Sequence, residues 1–485
     1  MLSQLSPTRL AELCSGHWHH SAALPASFTS AQIDSRMMEQ DELFIALKGE
    51  TADGHQFVSG LRHELGQAAI VERPAPDAPA AQLCVRDSLA ALQCISQEVS
   101  ALTGAVKFAV TGSVGKTGTK DMLCRMLAGF GRTPATKGNY NNHIGAPLTL
   151  AQMPEDTEFL ACELGMNHAG ELSELAQIVK PSVAAITCIA DSHIGHFSSL
   201  EQIADAKAEL FTGLADGGLA ILPRDDVFYP RLAAAATTAG AAQILSFGTH
   251  PESSLRLLDC NRDDNGLVVT IDCPALTNST KRRRFSFTLA MTARHWAMNA
   301  LCGLAMCHAA GLDCERAAAQ LADFTDLPGR GKPYNLAVSD HHLTLIDDSY
   351  NAGPASMKAA LANLAEMPGK RAAILSDMLE LGASGPQTHI QLAEQITTSG
   401  ISDLVAVGPL MTAMTAYLPD SISCHCFQTS THALAGLDQL VSTVAAEADY
   451  LLIKGSHGSG AHLISQHLIQ AYANQQTQQE ISHAS

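Results

Sequence analysis

The sequence is short of basic residues, of paired cysteines and of long apolar runs, and each shortage excludes something. Its 30 lysines and arginines face 48 aspartates and glutamates, for a formal net charge of −18. So acidic a surface repels phosphate backbones and anionic lipid headgroups, so neither nucleic acid nor membrane is expected as a partner. No uncharged apolar run reaches the roughly 18 residues that a membrane-spanning helix needs. The first residues, Met1 to Cys14, lack the basic-then-apolar pattern of a secretory signal. The 13 cysteines contain no CxxC and no paired framework, which reads as reduced thiols and excludes a disulfide scaffold. A cytoplasmic monomer acting on small molecules is the expectation.

What is present is globular material in quantity. At 485 residues, 46% of them hydrophobic, the chain exceeds one core, and roughly 150 residues per domain gives about three. Residues 1–103 carry short strand-like runs at 43–47 and 68–71 between polar turns. Residues 104–331 open on an apolar run at 106–110, then a glycine-rich turn and a helical pattern over 116–130; an alanine-rich helix is expected over 233–245. After the turn-rich Pro328-Gly329-Arg330-Gly331, residues 332–485 alternate apolar runs at 343–346, 372–375, 404–407 and 451–453 with helical patterns. Alternation of this kind predicts α/β architecture with parallel, doubly wound sheets.

The strongest local signal is Thr111-Gly112-Ser113-Val114-Gly115-Lys116-Thr117, which follows a strand and opens a helix. Glycines let backbone N–H groups close around phosphate oxygens, and the helix N-terminus adds partial positive charge. Lys116 is placed to bridge phosphates and the Thr117 hydroxyl to ligate Mg²⁺. An ordinary βα turn is the plainer alternative.

Two further groups point to a metal. Glu163 ends the apolar run at 159–162, and a carboxylate at a strand's carboxyl end suits a hard cation such as Mg²⁺, although a surface glutamate fits the same pattern. Asp191-Ser192-His193 precedes a helix over 199–214, whose start has capping-box spacing at Ser198 and Glu201. Its apolar stripe of Leu200, Ile203, Leu210, Phe211 and Leu214 includes Lys207. Either Lys207 snorkels along the helix surface or it is modified or paired, because an ammonium on a core face is costly.

These motifs recur in one order in a known family. Ile33-Asp34-Ser35-Arg36, Asp53-Gly54-His55, the phosphate loop, Gly138-Asn139-Tyr140-Asn141-Asn142-His143-Ile144-Gly145 and Asp348-Ser349-Tyr350-Asn351 resemble the Mur ligases of bacterial cell-wall synthesis over nearly the whole chain. The resemblance implies three domains. These are a small N-terminal α/β domain (1–103) for a UDP-sugar substrate, a central P-loop ATPase domain (104–331) and a C-terminal Rossmann-like domain (332–485). It implies an ADP-forming amide ligase in peptidoglycan precursor synthesis. It also implies roles. Gly112, Ser113, Gly115, Lys116 and Thr117 would hold ATP, with Asn299, Arg330 and Asp348. Thr117, Glu163, His193 and a carbamylated Lys207 would hold two Mg²⁺. Lys116, Glu163, His193, Lys207 and Arg330 would be catalytic. Ser35, Arg36, Asn139, Asn142, Tyr350 and Asn351 would bind the UDP-sugar peptide and a dipeptide. The last block lacks the Asp-Asn-Pro-Arg-like motif of the diaminopimelate- or lysine-adding branch. That favours the branch that joins D-alanyl-D-alanine to UDP-N-acetylmuramoyl-tripeptide. The chain departs from the family pattern at Gly195, Trp296, Ser376 and His457, so a Mur-like ligase acting on another carboxylate and amine is the alternative reading.

Overall fold

The computed structural model describes residues 2–20, 24–49, 52–134, 140–191, 194–263, 266–276, 278–291, 293–325, 327–338, 341–437, 441 and 448–473. Three sheets organise them, each drawn from one stretch of chain. The first has five strands in the order His17–His19, Ala81–Cys84, Ala68–Val71, Glu42–Ile45, Ser30–Gln32. Only His17–His19 runs antiparallel to its neighbour.

The second sheet has eight strands. Six are parallel, in the order Leu255–Asp263, Gln243–Gly248, Leu219–Pro223, Val183–Ile186, Val106–Thr111, Phe159–Glu163. Gly266–Ala275 and Asn278–Leu289 extend it antiparallel. The third sheet runs Lys332–Val338, His341–Asp348, Tyr450–Lys454, Arg371–Ser376, Ile401–Val407, Ser423–Phe427, parallel except for its first pair. The central parallel strands that are buried on both faces read as apolar runs, which is why the sequence pattern located those at 43–47, 68–71, 106–110, 159–162, 372–375, 404–407 and 451–453.

Two expectations need correction. The alanine-rich helix is Tyr229–Thr238, and it ends there because Gly240 turns the chain at φ +86°. Residues 243–245, expected to continue it, pair instead as strand Gln243–Gly248 with Leu219–Pro223. The antiparallel extension was not anticipated, although Asn265-Gly266 is a hairpin signal between alternating apolar residues.

The first two sheets are welded. Helix Ser88–Leu102, capped by Asp87, buries Leu92, Ile95 and Val99 in a core continuous from Leu2 to Ala236. Ser96 Oγ donates to Pro147 O (2.6 Å) and Ser100 Oγ to Val179 O (2.8 Å), so these two buried hydroxyls are satisfied across the seam. The third sheet has its own apolar cluster on each face. A body with a separate core can move against its neighbour, and the cleft lies between them. Among the described residues, no helix is long and apolar enough to cross a membrane.

Candidate active site

Strand Val106–Thr111 lies between Val183–Ile186 and Phe159–Glu163, and its carboxyl end passes through residues 112–115 into helix Lys116–Ala128. Gly112 and Gly115 take φ of +148° and +84°. A Cβ at Gly115 would sit 2.6 Å from Asn299 Oδ1, so a side chain there is excluded twice over. The loop is shaped from behind. Thr187 Oγ1 donates to Val114 O at 2.5 Å. Ser113 Oγ donates to Ala190 O (2.9 Å) and accepts from Ala190 N (2.8 Å), while Ser113 N donates to Cys188 O. Ser113 thus shapes the loop through these bonds and also lines the cleft.

Lys116 Nζ donates to Gly112 O at 2.8 Å, across the mouth of the loop. Burial pushes its ammonium below the usual lysine range, with the Glu163 carboxylate opposing. Glu163 ends the adjacent strand. Its Oε1 accepts from Asn141 Nδ2 (2.8 Å), while Oε2 is buried without a partner among the described residues. A buried acceptor left unsatisfied costs about 1–3 kcal/mol, and more if charged. The donor set therefore fits a hard cation, which would satisfy Oε2.

Helix Leu200–Ala208 is capped by Ser199, one residue after the expected Ser198; its Oγ accepts from Gln202 N at 3.4 Å. Lys207 is buried at 2% exposure and has no carboxylate partner among the described residues. Burial pushes its ammonium well below the usual range, and the charge of Lys116 adds to the effect. Lys207 is not among the residues that line the cleft, but it is close enough to interact electrostatically with Lys116 and Cys188, which do. His193 and Asn139 lie outside the described residues.

The opposite wall comes from the third sheet and its approach. Arg330 Nη2 donates to Thr117 Oγ1 at 3.0 Å, and its guanidinium lies 4.0 Å over the Tyr350 ring. The Thr117 hydroxyl has two acceptor lone pairs, so one remains for a cation. Asp348 accepts from Lys454 Nζ at 2.7 Å, and Lys454 also reaches Asn351 O at 3.1 Å. Burial raises the Asp348 pKa against the pull of Lys454. Lys454 ends an apolar strand as Glu163 does, so the same rule could have found it. Lys454→Met should leave the partly buried Asp348 unpaired, at a cost of at most about 3 kcal/mol. Chemical denaturation should recover most of that loss in the double variant with Asp348→Asn.

These groups face a cleft of about 920 Å³, large enough for a nucleotide and part of a second ligand. Of the residues expected from sequence, it brings together Ser113, Gly115, Lys116, Thr117, Glu163, Asn299, Arg330, Asp348, Tyr350 and Asn351. Asn142 lines it as well, but its Oδ1 accepts from Ile144 N and Gly145 N, capping helix Gly145–Ala151. Ser35 and Arg36 are not on this wall; Arg36 is exposed and held bidentate by Asp34.

One contact across the mouth was missed from sequence. Gly195 N donates to Glu380 O at 3.0 Å, and Glu380 has a φ of +62°. A Cβ at Gly195 would lie 2.7 Å from that oxygen, so only glycine allows the approach. Gly195→Val should hold the two walls apart and lower kcat about 10- to 100-fold, with the nucleotide KM little changed in steady-state kinetics.

The chain matches the Mur ligase family catalytic domain over residues 27–97, the Mur ligase middle domain over 110–307 and the Mur ligase glutamate ligase domain over 335–457. A UDP-N-acetylmuramoyl-tripeptide–D-alanyl-D-alanine ligase of Bacillus subtilis (strain 168) is 35% identical over 447 residues, which is 90% of this chain and 92% of that one. The chain belongs to the Mur ligase family. A ligase of the same name from Escherichia coli (strain K12) is 32% identical over 375 residues, covering 77% of this Mur ligase and 80% of that protein. The crystal structure of MurF from Acinetobacter baumannii superposes with a TM-score of 0.82 at 30% identity, over 96% of this chain and 98% of that one. MurF from Thermotoga maritima in complex with ADP superposes at 0.74 with 22% identity, over 91% and 97%, and shares the fold.

Proposed function

We propose that this Mur ligase joins D-alanyl-D-alanine to the terminal carboxylate of UDP-N-acetylmuramoyl-tripeptide, using ATP. Its relatives with at least 30% identity over most of their length carry that activity in their names. The observation that carries the chemistry is the buried Glu163 Oε2, without a partner among the described residues, near Lys116 in a cleft that Arg330 also lines.

A carboxylate is a poor electrophile, so it is first converted to an acyl phosphate at the expense of ATP. The amine of the dipeptide then attacks the acyl carbon, phosphate leaves, and ADP and the amide remain. Lys116 and the backbone N–H groups at the start of helix Lys116–Ala128 orient the phosphates. Arg330 spreads positive charge over them from the facing wall. Asp348 and Asn299 border the nucleotide, and Tyr350, Asn351 and Asn142 border the substrates. Thr117, Glu163, His193 and Lys207, once carbamylated, would hold Mg²⁺, which supplies charge screening between the anionic carboxylate and the triphosphate.

Carbamylation needs a neutral amine: R–NH₂ and CO₂ give R–NH–COO⁻ and a proton. Burial, with the nearby charge of Lys116, pushes the Lys207 ammonium well below the usual range, which favours the neutral amine. Ser35 and Arg36 belong to a separate UDP-sugar subsite on the first of three functional units, residues 1–103, 104–331 and 332–485. The enzyme works as a cytoplasmic monomer on small molecules. The test is ADP release in the presence of UDP-N-acetylmuramoyl-tripeptide. It should require D-alanyl-D-alanine and fail with single amino acids; equal release with other amines would reassign the substrate.

A further inference from the structure

Outside the cleft, the first sheet carries a cluster that ligation chemistry does not use. Strand His17–His19 is an edge strand, and residues two apart on a strand share a face, so His17 and His19 project together. Cys84 lies directly opposite His17 on the neighbouring strand. The two histidine Nε2 atoms are 2.9 Å apart, and one ligand atom from each of His17, His19 and Cys84 lies within 4.8 Å of the others. Among the described residues this is the one such cluster of three. It opens on a cleft of about 300 Å³ that Glu72 and Arg86 also line. Ser35 and Arg36 follow Ser30–Gln32, at the opposite edge of the same sheet.

We propose that His17, His19 and Cys84 form a site for a borderline-soft transition-metal cation, Zn²⁺ being the type, held by two imidazoles and one thiolate with a fourth position open to water. The donor set excludes Mg²⁺ and Ca²⁺, which take oxygen ligands. Zn–N bonds of about 2.0–2.1 Å at the tetrahedral angle set two nitrogens about 3.3 Å apart, and Zn–S of about 2.3 Å sets nitrogen and sulfur about 3.6 Å apart. The histidines need spread by only a few tenths of an ångström from 2.9 Å. The sulfur, within 4.8 Å of both nitrogens, closes by at most about an ångström, within the range of side-chain rotation. Two imidazole nitrogens at 2.9 Å also call for an explanation: without a cation one must donate to the other, whereas a bound metal takes a lone pair from each. The Arg86 charge opposes a dication and Glu72 favours it, so the cleft is not hostile overall. A cation here would staple the edge strand to Ala81–Cys84 and protect the exposed sheet edge.

The test uses the full-length protein, stripped with a chelator and titrated with Co²⁺ and Zn²⁺ in excess Mg²⁺. Wild type should bind one Co²⁺ with a thiolate-to-cobalt charge-transfer band that Zn²⁺ bleaches, and Zn²⁺ should raise its melting temperature. His17→Ala, at an exposed position, and Cys84→Ser should each weaken binding by more than about 100-fold, beyond the effect of removing an outer-shell partner. Cys84→Ser should also abolish the band. Unchanged ADP release by both variants in Mg²⁺ shows that they fold and that the site is separate from ligation. A band that survives Cys84→Ser, or Zn²⁺ affinity unaffected by both substitutions, overturns the proposal.

Discussion

Lys207→Ala is expected to lower kcat by about 10³-fold or more, because a metal ligand supplies several kcal/mol of charge stabilisation and each 1.36 kcal/mol is tenfold. Formate or acetate in the vacated space should restore part of the rate, since either can stand in for the lost carbamate. Removing CO₂ from the wild-type enzyme should mimic the substitution, and bicarbonate should reverse it. Stability gives a second, independent readout. The pKa of uncarbamylated Lys207 lies below that of a lysine in an unfolded chain. Between those two values the unfolded state binds more protons, so stability rises with pH and levels off near the unfolded value of about 10.4. Lys207→Met should be inactive, should lose that rise, and should melt higher than CO₂-free wild type near neutral pH. Wild-type turnover in Lys207→Ala would remove Lys207 from the metal site.

Glu163→Gln is the second large effect. The amide keeps the acceptor for Asn141 but places an N–H₂ group where Oε2 stands unpartnered. A donor there repels a cation, so kcat should fall by about 10³-fold. The Mg²⁺ concentration for half-maximal activity should climb as well. Folding should be unharmed or slightly improved, since a buried, half-satisfied charge has been removed. Activity as a function of Mg²⁺, beside a denaturation curve, separates loss of metal from loss of fold. Unchanged Mg²⁺ dependence would show that Glu163 merely anchors Asn141.

How far the sequence revealed these sites depended on whether each group's position follows from local pattern. Glu163 ends a strand, and Lys116 and Thr117 open the helix that follows one through a glycine turn, so position and chemistry were readable together. Lys207 was visible as a charge within an apolar stripe, and the structure buries it. The loop-shaping bonds of Ser113 and Asn142 were not legible because their partners, Ala190 N and O and the backbone at 144–145, are backbone groups without a sequence signature. The Gly195–Glu380 contact joins residues 185 positions apart (380 − 195) through backbone atoms alone. Gly195 was noticed only as a departure, and its physical cause needed the fold. The helix expected over 233–245 overran because alanine-rich sequence masks where a left-handed glycine stops it.

The claim on which the rest stands is that the cleft activates a carboxylate by transferring phosphate to it. UDP-N-acetylmuramoyl-tripeptide labelled with oxygen-18 in its terminal carboxylate tests this directly. With ATP and D-alanyl-D-alanine, each released phosphate should carry one labelled oxygen by mass spectrometry, because the acyl C–O bond breaks when the amine attacks. Unlabelled phosphate accompanying amide product would contradict the acyl phosphate route.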